Sequence, residues 1–221
     1  MGPQGDCSLD LDPRDIVIER EISRSEASTV FEVRICGKTR VMKLYHDNGD
    51  PGYSKRGRDL NRFRCELNAY RNLLKFGVCG SGFVPFFHGF INRLDPSDFG
   101  QQLNHFRKDK FFPRAIVLEY LPVAEKLNCV NYSDELFYYA LEGIKEIHRA
   151  LIHHHDIYPK NMLVVSCSRI IWVDFDVAMT FKDIGIREKA YCEYEVGLVK
   201  SFGKKLKNDK LRGLPPNTTY Y

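Results

Sequence analysis

Long apolar runs are missing from this sequence of 221 residues: none approaches the roughly 20 residues that cross a bilayer as a helix, so no membrane partner is expected. The N-terminus, "MGPQGDCSLDLDP", has neither the basic flank nor the apolar stretch of a secretory signal, which makes the cytoplasm or nucleus the expected compartment. The seven cysteines, Cys7, Cys36, Cys65, Cys79, Cys129, Cys167 and Cys192, are odd in number and scattered, without a C-x-x-C pair. That spacing argues against a disulfide framework and a structural zinc site and leaves reduced, buried thiols as the expectation. An excess of one charge is also lacking. A net charge of +4 is too small, taken alone, to indicate a nucleic-acid partner. Internal repeats and low-complexity segments are absent as well.

What is present is a globular composition, 43% hydrophobic and 13% aromatic, sufficient for the core of one domain or two small lobes. Residues 15–45 alternate apolar and polar with the period of strands, in "IVIEREI", "STVFEVRI" and, after the turn at Cys36-Gly37, "TRVMKLY". A helix is predicted in "DLNRFRCELNAYRNLLKFG", where Leu60, Phe63, Leu67, Tyr70 and Leu74 recur at helical spacing and Gly77 ends the run. Two further strands, "FVPFFHGFIN" and "RAIVLEYL", enclose a polar loop and complete a five-stranded sheet with one inserted helix. Beyond "LP" the period becomes helical in "SDELFYYALEGIKEIHRALI", with Ser133 as the cap and Asp134 and Glu135 in the first turn. The predicted division is a sheet-bearing unit over residues 1–121 and a mainly helical unit over 122–221.

Directly after that helix stands "HHHDIYPKN", His153 to Asn161. Three adjacent histidines suggest zinc, but neighbouring side chains on an extended segment alternate in direction and cannot all meet one ion. His153 and His155 therefore read as a packed strand residue and a loop residue, and His148 as structural. His154, Asp156 and Asn161 fit H-x-D-x-x-x-x-N, and Asp174 opens "DFD" beyond the apolar runs "MLVV" and "RIIWV". This is the layout of a phosphotransfer site, in which one aspartate orients and deprotonates an attacking hydroxyl while an asparagine and a second aspartate hold magnesium. Asp156 takes the first role, and Asn161 and Asp174 the metal.

With the sheet upstream, these residues resemble the protein-kinase-like superfamily over nearly the whole chain, its small atypical members in particular. The resemblance implies an α+β, two-lobed fold with a five-stranded antiparallel N-lobe sheet, one helix, and a short, mainly helical C-lobe. It implies ATP and Mg2+ bound between the lobes and transfer of the γ-phosphoryl group to a hydroxyl. Lys43 in "RVMK" matches the phosphate-binding lysine, and Glu66 on the next helix its partner. "IVLEYLP" is similar to a kinase hinge, with Leu118 closing the pocket and backbone groups of Glu119 and Leu121 meeting the adenine edge. Leu163 supplies the pocket floor, and Val30 and Val41 line it. "SEASTVFEV" is similar to the nucleotide loop of the small kinase in the KEOPS tRNA-modification complex.

The departures bear on what is phosphorylated. Ser23, Ser25 and Ser28 stand before Val30 where glycines are expected, which restricts backbone approach to the phosphates. His155 replaces the arginine that would receive a phosphorylated activation segment, so activity is expected to be constitutive. Tyr158 occupies the position of a lysine, and Lys160 is expected to serve the transferred phosphoryl group as the third catalytic residue beside Asp156 and Asn161. Asp176 replaces the glycine of DFG, in which the chain is similar to some bacterial lipopolysaccharide-sugar kinases. No A-P-E motif follows Asp174. "EKAYCEYEVGLVKSFGKKL" is predicted as one helix with Tyr194, Leu198, Phe202 and Leu206 on its apolar face, packed on the catalytic loop. Its basic end, "KKLKNDKLR", reads first as a solvated helix terminus and second as an RNA or acidic-substrate patch. A protein Ser/Thr hydroxyl is the first expected acceptor and a small-molecule alcohol the second. The competing class is a pseudokinase that serves as a binding scaffold.

Overall fold

The computed structural model describes residues 7–166 and 168–217, so the thiol expected at Cys167 lies outside the described residues. Of the six described cysteines, Cys65, Cys79, Cys129 and Cys192 are buried, Cys7 is partly buried and Cys36 is exposed. No helix among the described residues is long and apolar enough to cross a membrane.

The chain is mixed α and β and divides into two compact units. The first comprises the residues up to Leu67 together with Phe86–Tyr120. It holds the predicted three-strand meander, β1 (Ile16–Arg24), β2 (Ser28–Ile35) and β3 (Lys38–Tyr45), joined by β4 (Phe87–Ile91) and β5 (Arg114–Glu119) in one antiparallel sheet of order β1-β2-β3-β5-β4. Strand alternation assigns the two faces. Ile16, Ile18, Phe31, Val33, Met42, Leu44, Ala115 and Val117 point to one side and form a core with Leu94, Phe99, Leu103 and Phe106 from the segment between β4 and β5. The opposite parity places Val30, Val41, Lys43 and Leu118 on the other face, with Val30 across from Lys43 and Val41 across from Leu118.

Helix α1 (Arg62–Lys75) follows β3, and its residues up to Leu67 belong to the first unit while those from Asn68 belong to the second. Gly77, in the left-handed conformation at φ 79°, ends the run as expected. The buried stripe of α1 differs from the predicted one: Leu60 lies outside the helix and Leu74 is exposed, whereas Leu73 is fully buried with Phe63, Leu67 and Tyr70.

The second unit combines Asn68–Pro85 with the chain from Leu121 onward. The sequence division falls after residue 121; the compact units change at Tyr120, and residues 68–85 group with the helical part, where Asn72 Nδ2 donates to Ala150 O at 3.0 Å and Trp172 N donates to Phe83 O at 2.8 Å. After the short α2 (Val78–Ser81), this unit contains β6 (Glu125–Lys126), α3 (Asp134–Arg149), β7 (Ile152–His153), β8 (Met162–Val165), β9 (Arg169–Trp172), β10 (Met179–Thr180) and α4 (Ile186–Leu211). Ser133 caps α3, its hydroxyl accepting from Leu136 N at 3.1 Å.

Helix α4 approaches α3 closely at Gly203. A Cβ there would overlap Cε1, Cζ and Cδ1 of the buried Phe137 ring. Gly197 on the same helix has nothing within 4 Å of a Cβ. Gly203→Ala is therefore expected to cost about 1–3 kcal/mol by overpacking, against its gain in helix propensity. Gly197→Ala should stabilise by up to about 1 kcal/mol. Urea denaturation of both variants checks this, and equal stabilisation by the two would refute a tight crossing.

Candidate active site

In the first unit, Lys43 on β3 and Glu66 on α1 meet as the sequence predicts. Lys43 Nζ lies 2.6 Å from Glu66 Oε2, and the two residues are only 7% and 1% exposed. Tyr45 OH also donates to Glu66 Oε2, and Lys43 Nζ stands 5.3 Å from the centre of the Tyr45 ring. Two ions buried this deeply contribute little net stability, because desolvation offsets most of their attraction. What the pair fixes is the direction of the ammonium group. On the same face of the sheet Val30 and Val41 are half-buried, and Leu118 is buried.

Ser23, one residue before the end of β1, pairs with Val30. Ser25 closes the β1–β2 turn by itself: its Oγ accepts from Ala27 N at 3.3 Å and Ser28 N at 3.1 Å, and its backbone N donates to Ser28 O at 2.8 Å. Ser28 is buried. Glu119 N donates to Phe86 O at 2.8 Å, and Glu119 Oε2 accepts from Phe86 N at 3.1 Å, which anchors the end of β5. Leu121 is half-buried.

In the second unit, a short network locks the loop after β7. Asn161 Nδ2 donates to the backbone carbonyl of Asp156 at 2.8 Å, and Asn161 N donates to Tyr158 O at 2.9 Å. Asn161 O accepts from Val173 N at 3.0 Å, and Val173 O in turn accepts from His154 Nε2 at 3.1 Å. His154, Asp156, Asn161 and the residue before Asp174 are thereby tied together. With Nδ2 engaged, the atom Asn161 has left for a cation is Oδ1, and a carboxamide oxygen with an aspartate carboxylate is a donor set that suits a hard cation keeping part of its water shell. Lys160 Nζ lies 3.1 Å from Asp156 Oδ2, half-exposed, and 5.8 Å from the centre of the Tyr158 ring. Leu163 on β8 is half-buried between Lys126 and Ile171. His155 and Asp174 both adopt left-handed backbone, at φ 70° and 68°, a conformation that non-glycine residues hold only when their surroundings impose it.

The three histidines do not converge on one point: the His153 and His155 rings lie 5.4 Å apart, and His154 turns the other way. His154 is fully buried against Trp172 and Phe175, and burial pushes its pKa below the usual imidazole range, so it is neutral with its proton on Nε2. His153 is also lowered by burial. Among the described residues, no group of three His, Cys, Asp or Glu side chains forms a metal-holding cluster.

Sequence reasoning missed Glu195. It sits on α4, 2% exposed, and its carboxylate collects four donors or near neighbours: His148 Nε2 at 2.7 Å, His154 N at 3.1 Å, His155 N at 2.7 Å and His153 Nε2 at 3.5 Å. Burial pushes the carboxyl pKa up, but the hydrogen bonds from His148 and the His155 backbone, with the nearby histidines, outweigh burial and hold it low. This corrects the predicted face of α4. The buried positions are Cys192, Glu195, Val199, Gly203 and Leu206, whereas Tyr194 and Leu198 are exposed and Phe202 is half-buried against Tyr158. The basic end of α4 is engaged structurally: Lys207 pairs with Asp134 at 2.6 Å, and Lys210 Nζ donates to Tyr132 O at 2.5 Å.

Neither a protein-family model nor a curated protein matches this chain.

Proposed function

We propose that the protein is an ATP-dependent phosphotransferase with an alcohol acceptor. The observation that carries this reading is the lock around Asp156: Asn161 Nδ2 on Asp156 O, Val173 N on Asn161 O and His154 Nε2 on Val173 O. Such a network fixes the backbone that carries the half-buried Asp156 carboxylate and two candidate cation ligands, which is the preorganisation phosphoryl transfer requires.

Asp156 orients the acceptor hydroxyl and takes its proton as the oxygen bonds to the γ-phosphorus and the bond to the bridging oxygen of ADP breaks. Lys160, beside Asp156, offsets charge on the phosphoryl group in transit. Lys43, aimed by Glu66, contacts the phosphates. Asn161 and Asp174 hold magnesium, which when bound neutralises charge on the phosphate oxygens. A protein Ser/Thr hydroxyl is the first acceptor. A small-molecule alcohol is the second reading, favoured by the short connection between Asp176 and the start of α4 at Ile186, which leaves little chain for a peptide platform. The scaffold reading draws on the Ser25 turn, whose hydroxyl is already engaged.

A thermal-shift titration tests the core of the proposal. ATP in about hundredfold excess over Kd should raise the Tm by about 5–10 °C with magnesium present and leave it unmoved with chelator. An equal shift under both conditions would remove Asn161 and Asp174 from the binding event. Turnover of γ-labelled ATP on protein and small-molecule fractions then separates the acceptors, and binding without turnover on any fraction favours the scaffold.

A further inference from the structure

Two exposed segments of the first unit combine cations with aromatic rings: "YSKRGR", Tyr53–Arg58, and "RKDKFF", Arg107–Phe112. The first is the tip of a tight hairpin. Tyr53 bridges Asp59, Ser54 N donates to Arg58 O at 2.8 Å, and Gly57 turns at φ 77° with its N donating to Ser54 O at 2.9 Å. The second segment is tied to the chain from which that hairpin departs. Lys110 N donates to Asn48 Oδ1 at 3.0 Å and Phe111 N to Asp47 O at 3.0 Å, while Asp109 turns inward to His46 Nδ1 at 2.8 Å.

The neighbouring acids are already engaged. Arg64 bonds Asp50 at 3.0 Å and Asp59 at 2.7 Å, Arg114 lies 3.2 Å from Asp47, and Asp109 holds His46. Lys55, Arg56, Arg58, Arg107, Lys108 and Lys110 have no acidic partner within ion-pair distance among the described residues. Six cations within two short segments, with the nearby acids paired elsewhere, leave a local surplus of positive charge. Beside them Tyr53 is 65% exposed and Phe111 and Phe112 are each 49% exposed.

We infer that these two segments bind single-stranded nucleic acid, its phosphates against the cations and its bases against the rings. Lys110 Nζ lies over the Phe111 ring at 5.3 Å and the Arg64 guanidinium over the Tyr53 ring at 5.5 Å, so each of these rings carries a cation and keeps the rest of its surface for a base. A duplex hides its base faces from such rings. An acidic peptide would satisfy the cations and leave the rings without a role. Membrane insertion needs apolar side chains projecting beyond the cations, whereas the backbone of Phe111 is hydrogen-bonded down and its ring is half covered. None of these residues is among the proposed phosphotransfer residues, and the inference does not depend on that reading.

Fluorescence anisotropy with the full chain tests the inference, using a labelled single-stranded RNA of about 12 nucleotides, the matching duplex, a polyglutamate peptide and phosphatidylserine vesicles. The single strand should bind most tightly, with log Kd rising linearly with log salt. Arg56→Glu with Lys108→Glu should weaken it at least tenfold and flatten the salt slope. Tyr53→Ala and Phe111→Ala should each weaken it about tenfold with the slope unchanged. Phe111→Leu keeps the packing and loses the ring, and circular dichroism verifies the fold of every variant. Equal binding of duplex and single strand, aromatic variants that bind like wild type, preference for vesicles or polyglutamate, or no binding at all would each overturn the proposal.

Discussion

Asp156→Asn is expected to cut phosphoryl transfer by about 100-fold or more while leaving magnesium-dependent ATP binding unchanged. The amide keeps the shape of the side chain but cannot take the acceptor's proton. The loop should survive the change, because Asn161 Nδ2 holds the backbone oxygen of residue 156 and not its carboxylate. Loss of the Lys160 ion pair costs little, since Lys160 is half-exposed and such pairs contribute about 0–1 kcal/mol. Asp174→Asn should behave differently and weaken nucleotide binding together with turnover, because a neutral amide is a poorer ligand for a hard cation. Asp176, two residues on and buried, is the candidate to move in as a replacement ligand, so the double change at 174 and 176 belongs in the same experiment. Single-turnover rates and binding isotherms for the variants separate the two roles. If wild type turns over and Asp156→Asn matches it across acceptors, the assignment of Asp156 is wrong.

The parts of this molecule that could be read from the sequence are those with a period or a local cap. Strand alternation places Val30, Val41, Lys43 and Leu118 on one sheet face and the apolar core on the other, as the register shows. Ser133 and Gly77 mark helix ends through chemistry confined to one turn. Glu66 was reachable because it lies beside the apolar positions of α1, and a carboxylate there needs a partner. Leu73 and Leu74 both fit a helical stripe, and only tertiary packing, which buries Leu73, chooses between them. The grouping of residues 68–85 with the helical unit depends on hydrogen bonds to Ala150 and Trp172, which leave no local trace. The inward turn of Asp109 toward His46 is similar, since a charged residue in a polar loop carries no sign that it is buried.

Glu195 is the most consequential residue hidden in this way, and its removal should produce the largest loss of stability. Glutamate in the middle of an exposed-looking helix reads as solvated, so the pattern favours Tyr194, Leu198 and Phe202, each one position from the buried Glu195, Val199 and Gly203, and agrees with the structure at Leu206. Its carboxylate instead receives the backbone N–H groups of His154 and His155 and the ring of His148. Glu195→Ala would leave those donors without an acceptor in a site where Glu195 is 2% exposed, and each unsatisfied buried donor costs about 1–3 kcal/mol. A total of about 3–5 kcal/mol is expected, a large share of the roughly 5–15 kcal/mol that holds a typical domain folded. Glu195→Gln keeps the shape and one acceptor oxygen but cannot serve both backbone N–H groups and the imidazole at once, so it should fall between Ala and wild type. Glu195 touches no proposed substrate and acts as a positioning residue, through the left-handed backbone of His155 next to Asp156. Glu195→Gln that remains folded at low temperature should therefore lower kcat with little change in ATP affinity, a split that mere loss of stability would not produce. Urea denaturation gives the first result and steady-state kinetics the second. If Glu195→Ala lies within about 1 kcal/mol of wild type, water or another donor arrangement replaces the carboxylate, and α4 does not hold the loop.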